Sequence, residues 1–357
     1  MARTKQTPRK PTVPAPKRTV VKTQVKRIRK PKAKVVKDCD ALFVKDTSRF
    51  VLFPIQKLSV WNSVKTLQQC AWVTEEIDFT KDQFHELTAP EQKCLKMVLA
   101  FFAGSDGIVI ENLLKKFCLE IMNQEVLFFY TLQGYNEMVH SETYAKIVDS
   151  YVSDETEKAK LFSALESIPS VSRKGKWALK WINKKKPFAQ RLIAFAIVEG
   201  VHFSSSFAFI FWFKHRGLMP GLTHSNEFIS RDEGLHTDFA CLIYKEYFSD
   251  QRVDYETIKE IFTEAVNIEK EFIRDAIDDD LGINTESMGQ YVEFVADRLL
   301  TDLGYDKMYD SDNPFEFMEN ISIPVKTNFF ESRVSQYRLH NVNTSMEDRE
   351  ISFDSPF

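Results

Sequence analysis

Glu137, His140 and Tyr144 lie close together in the stretch EMVHSETY, residues 137–144. On a helix, steps of three and four residues rotate by roughly −60° and +40°, so the three side chains share one face. A second Glu-x-x-His, Glu233 and His236, occurs in SRDEGLH. Two further acids interrupt apolar runs: Asp106 in LAFFAGSDGIVIENLL and Glu199 in LIAFAIVEGVHFSSSFAFIFWF. An isolated buried carboxylate is costly and must be paired, protonated or metal-bound. These segments hold no matching set of buried Lys or Arg. Two divalent cations would neutralise four carboxylates, and two imidazoles would complete the donor set. Hard oxygen with imidazole and no thiolate suits iron or manganese better than copper(I) or structural zinc.

Four helices must carry these groups. Pro90-Glu91 opens one that runs to about Phe117, since proline is tolerated in a first turn. A second is expected from about Ile121 to Tyr151, and a third spans the apolar run Leu192–Phe213. The fourth runs from about Ser225 to Phe248, with amphipathic helices following near 255–279 and 286–302. Asp154–Ser167 reads as a surface helix and residues 168–187 as a basic connection. One acid, one Glu-x-x-His, one acid and one Glu-x-x-His from four helices is the plan of a ferritin-like bundle with a dinuclear site. Leu192–Phe213 is long enough to cross a membrane. Glu199 near its middle favours instead a central helix of a bundle, without a membrane. His202 makes a third Glu-x-x-His with Glu199, which spacing alone does not exclude as a ligand.

Composition agrees with an all-α fold: 11 Gly in 357 residues, 43% hydrophobic residues and 30 Phe. Five Cys with no Cys-x-x-Cys argue against a disulfide framework and against a thiolate zinc site. They fit a reducing, cytoplasmic setting. Residues 1–37 carry fourteen Lys or Arg and no acid, leaving the remainder near −17 against −3 for the whole chain. With five Pro and few large apolar residues, this arm is expected to be disordered. It suits nucleic acid, an acidic partner or nuclear targeting. Ala2-Arg3-Thr4-Lys5-Gln6-Thr7, followed after Pro8 by Arg9-Lys10, resembles the start of the tail of the third core histone. That likeness implies a histone-tail reader as partner.

Longer motifs carry a second resemblance. WVTEEIDFTKD (72–82), LAFFAGSDGIVIENL (99–113), NEMVHSETY (136–144), AFAIVEG (194–200), the run from Phe211 to Leu242 and NFFESRVSQY (328–337) are similar to the small, radical-bearing subunit of class I ribonucleotide reductase of the eukaryotic and DNA-virus type. The likeness covers about residues 48–357. It implies a homodimer holding two iron ions per chain. Asp106, Glu137 and His140 would hold one ion, and Glu199, Glu233 and His236 the other; manganese is left open. Dioxygen would convert Tyr144 to a stable radical, shielded by Phe203, Phe207 and Ile229. Trp72, Asp232 and His140 would form the near end of an electron path. Tyr337 would relay the radical to a large subunit, which reduces ribonucleoside diphosphates to deoxyribonucleotides. Residues 38–320 would form the bundle and 321–357 a tail that docks the large subunit. Ser355-Pro356 departs from the commonest family ending, and His202 stands where an aromatic is usual. The rival functions are another ferritin-like di-iron oxidase and a chromatin- or nucleic-acid-binding protein acting through the arm.

Overall fold

The computed structural model describes residues 38–44, 51–278 and 281–319. It is built from α1 (Asp38–Phe43), α2 (Leu58–Gln69), α3 (Ala89–Asn112), α4 (Cys118–Glu120), α5 (Gln124–Tyr151), α6 (Glu155–Phe162) and α7 (Ala164–Ser167). Then follow α8 (Pro169–Trp181), α9 (Phe188–Ile197), α10 (Ser204–His215), α11 (Pro220–Phe248), α12 (Tyr255–Ala276), α13 (Thr285–Asp302) and α14 (Glu316–Glu319). No strand occurs among the described residues. The fold is the all-α, ferritin-like bundle that the sequence implies.

The long helices start where local chemistry directs. Thr88 and Glu91 form a capping box on α3: the Glu91 carboxylate accepts from Thr88 N at 2.7 Å, and the Thr88 hydroxyl accepts from Glu91 N. Each side chain satisfies a backbone donor that the first turn would leave free. Asn123 caps α5 by accepting from Val126 N at 3.1 Å. The start of α11 is held from a distance. Asp82 accepts from Gly221 N at 2.7 Å and from Leu222 N at 2.9 Å. A Cβ at position 221 would lie 2.6 Å from the Asp78 carbonyl oxygen, so this close approach needs glycine.

Two helices contain π-helical turns: Leu113–Phe117 after α3, and Val198–His202 between α9 and α10. The apolar run expected as one helix is therefore α9, a π turn and α10. It is long and apolar enough to cross a membrane, but nearly all of it is buried against the rest of the protein. The expected basic connection at 168–187 is mostly helix α8. Its buried face holds Val171, Lys174, Trp177, Ala178 and Trp181, while Lys176 and Lys180 face outward. The outward lysines dominate its composition and hide the helical period.

The helix α5 packs against α2, α3 and α11. Its inner face buries Gln133, Glu137, His140 and Tyr144. Its outer face exposes Phe128, Tyr135 and Met138, spaced as one stripe. Leu114 lies beside this stripe at Gly134 and is itself exposed.

Candidate metal centre

Asp106 comes from α3, Glu137 and His140 from α5, Glu199 from the second π turn, and Glu233 and His236 from α11. All six are at most 2% exposed. Single ligand atoms of Glu137, Glu199, Glu233 and His236 lie within 4.8 Å of one another. His236 Nδ1 is 3.0 Å from Glu137 Oε1 and 3.3 Å from Glu233 Oε2. His140 Nδ1 is 3.1 Å from Glu233 Oε1 and 3.6 Å from Glu137 Oε2. Glu137 and Glu233 thus lie between the two histidines. Asp106 adjoins the group, with Glu137, His140 and Glu233 as its electrostatic neighbours.

This cluster calls for positive charge. Burial pushes the Asp106 and Glu199 carboxyls well above the usual range. Burial would also raise Glu137, yet His140 and His236 outweigh it and hold it at about 2. Against burial, the surrounding carboxylates raise His236 to about 10 and His140 well above an ordinary imidazole. Several polar atoms have no hydrogen-bond partner: both Asp106 oxygens, Glu199 Oε2 and His236 Nε2. Buried orphans of this kind need explaining. Four carboxylates and two imidazoles converging with free lone pairs fit a pair of divalent cations.

Asp232 lies behind His140. It accepts from the Trp72 indole N–H at 2.8 Å and lies 3.3 Å from His140 Nε2. Arg231 donates to its other oxygen at 2.8 Å. Burial would raise the Asp232 carboxyl, but His140 and Arg231 keep it low and ionised. The Trp72 ring stacks over His140 with centroids 6.0 Å apart.

Tyr144 is 2% exposed and its hydroxyl has no hydrogen-bond partner. Burial, then Asp106, Glu233 and Glu137, push its phenol well above the ordinary value, so the proton stays on. Phe102 stacks flat on the Tyr144 ring at 4.7 Å. Phe203 and Phe207 pack on Phe102 at 5.3 and 5.0 Å. Ile229 is buried on α11, one turn before Glu233.

Sequence reasoning missed three contributors. Phe102 carries no chemical signal within an apolar run, although it lies one turn before Asp106. Gln133, one turn before Glu137, donates to Glu199 Oε1 at 2.6 Å. Arg231 adjoins Asp232 in the chain. His202 stands apart from the ligand cluster: its ring meets Trp177 edge-on at 4.7 Å. The wider π turn rotates residue i+3 away from the face it would share in an α-helix. Tyr337, the tail 321–357 and the arm 1–37 lie outside the described residues.

Known proteins place this arrangement. The family described as "Ribonucleotide reductase, small chain" matches residues 49–314. The ribonucleoside-diphosphate reductase small chain of Variola virus is 50% identical over 321 residues, spanning 89% of this chain and 100% of that one. The small chain of Trypanosoma brucei brucei is 48% identical over 322 residues, 89% of this chain and 95% of its own. Among solved structures, the ribonucleotide reductase Rnr4 homodimer of Saccharomyces cerevisiae matches with a TM-score of 0.72 at 35% identity. That match covers 78% of this chain and 89% of the yeast chain. The chain belongs to the ribonucleotide reductase small-chain family.

Proposed function

We propose that this chain is the small subunit of a ribonucleoside-diphosphate reductase, forming a radical on Tyr144 and lending it to a separate large subunit. The large subunit then reduces ribonucleoside diphosphates to deoxyribonucleotides. The observation that carries this is the unpartnered Tyr144 hydroxyl, buried beside the carboxylates of a metal-type cluster. Asp106, Glu137 and His140 would hold one ion, and Glu199, Glu233 and His236 the other. Iron is the proposed metal; the same donors suit manganese, and elemental analysis of the purified protein decides between them. When bound, the metal pair supplies the oxidising power with which dioxygen takes one electron from a phenol.

The protein's own groups do the rest. Burial and the neighbouring carboxylates keep Tyr144 a neutral phenol until it is oxidised. Phe102, Phe203, Phe207 and Ile229 exclude water and reductants from the product. The Nδ1 side of His140 faces the carboxylates, which leaves its Nε2–H for Asp232. Asp232 thereby fixes the ring of His140, as partners of ligating histidines do. Trp72 donates to the same Asp232 oxygen, so one carboxylate joins a redox-active indole to the centre. Tyr337 and the tail would extend this route to the large subunit.

Electron paramagnetic resonance after addition of iron(II) and oxygen to metal-free protein tests the proposal. A tyrosyl signal is expected in the parent and none in Tyr144→Phe. Oxygen uptake without a signal in the parent would leave an oxidase instead. The exposed stripe on α5 supports a homodimer. The five free thiols suit a reducing, cytoplasmic setting. For the arm, a peptide of residues 2–11 should bind a reader of the corresponding histone tail; no binding, beside a histone control that does bind, rejects the mimicry and with it a nuclear role on that ground.

A further inference from the structure

Lys174 of α8 is 1% exposed, far from any surface role. Its ammonium donates to the His202 carbonyl oxygen at 2.6 Å and pairs with Glu269 Oε2 of α12 at 2.7 Å. It also lies over the Phe101 ring, 3.3 Å from the centroid, and 4.1 Å from that of Phe272. The Ser205 hydroxyl donates to the other oxygen of Glu269. Burial drives the Lys174 amine down to about 8. A buried ion pair is often no better for stability than well-packed apolar residues, so stability alone does not account for a lysine here.

Its acceptor suggests another role. His202 ends the π turn Val198–His202, where the regular helical ladder is interrupted before α10 begins. Two side chains bond backbone carbonyls at this junction: the Ser204 hydroxyl donates to Val201 O at 2.6 Å, and Lys174 donates to His202 O. The same turn carries Glu199, whose Oε1 is fixed from the other side by Gln133. The next residue is Phe203, which packs on Phe102. Phe101, under the ammonium, touches both Phe102 and Phe203.

We propose that Lys174 is a positioning residue for the metal centre: its bond to the His202 carbonyl fixes the π turn that presents Glu199. This rests on Glu199 being a ligand. Three variants of the full-length protein, stripped of metal and titrated with manganese(II) alone by calorimetry, test it. Glu199→Ala checks the underlying assignment and should lose tight binding of one ion. Lys174→Met/Glu269→Leu removes both charges and the donor. It should melt within about 4 °C of the parent yet bind one manganese ion at least about tenfold more weakly. Glu269→Gln removes the partner charge but keeps the Lys174 donor to the His202 carbonyl, and should bind within about twofold of the parent. If Glu199→Ala binds like the parent, the ligand assignment itself fails. If Glu199→Ala weakens binding but the aliphatic pair does not, Lys174 has no positioning role. A tenfold loss in Glu269→Gln would also overturn the proposal, because the ion pair and not the bond to His202 would then matter. Should the aliphatic pair fail to fold, Lys174→Leu/Glu269→Gln, which also removes the donor to His202, takes its place under the same tenfold criterion.

Discussion

Trp72 stacks on His140 and hydrogen-bonds towards the metal centre through a single carboxylate, Asp232, and this makes its role separable from that of the centre. Trp72→Phe keeps a ring against His140 and Phe228 but removes the N–H donor and the oxidisable indole. The tyrosyl signal should form in normal yield in this variant. Turnover with the large subunit should fall at least about 100-fold, equivalent to about 2.7 kcal/mol. Loss of the radical itself would instead make Trp72 part of the centre's assembly. At this scale the sequence was informative wherever chemistry forced a polar residue into an apolar run. Asp106 and Glu199 stand out for that reason, and the two Glu-x-x-His pairs by their repeated spacing. Phe102 and Gln133 do not: a phenylalanine among 30 announces nothing, and an amide one turn from a ligand resembles any helix-surface residue.

Helices differ in how plainly their sequences declare them. Pro90 and Glu91 announce the start of α3. By contrast, α8 hides its apolar stripe among basic residues, and neither π turn has a residue pattern distinguishing it from α-helix. Glu91 also ties α3 to the end of α10 through Arg216. Burial would raise the Glu91 carboxyl, but bonds from Arg216 and Thr88 prevail and hold it below its ordinary 4.5. A carboxyl lowered on folding stabilises the protein above its unfolded value, and that contribution is lost as pH falls through the folded value. Glu91→Gln should therefore cost about 1 kcal/mol at pH 7, after allowing for the partly exposed Arg216. In acid, below the folded value, the stabilities of parent and variant should converge. Urea titrations at a series of pH values check this; a constant gap across the series would rule out the Glu91 charge as its source.

Among the described residues, Phe128, Tyr135 and Met138 of α5, with Leu114 beside them, form an apolar stripe that a solitary chain would not be expected to keep. Contiguous exposed apolar surface of this kind commonly marks an interface. Tyr135→Glu/Met138→Glu should shift sedimentation from dimer to monomer at micromolar concentration, with the helical circular dichroism retained. A dimer that persisted would place the interface elsewhere. The bundle was legible in the sequence because its inward periodicity is internal to each helix. This stripe was not, because its period is read only against the buried face that the fold defines. The helix α5 bears the stripe outside and Glu137 and His140 inside, so a partner seated on the stripe would lie about one helix diameter from the ligand pair. Were association to change metal affinity, metal would change association by the same factor. A manganese(II) titration repeated at tenfold lower protein concentration reads that coupling directly: weaker apparent binding on dilution shows the two faces are linked, and unchanged binding shows they are independent.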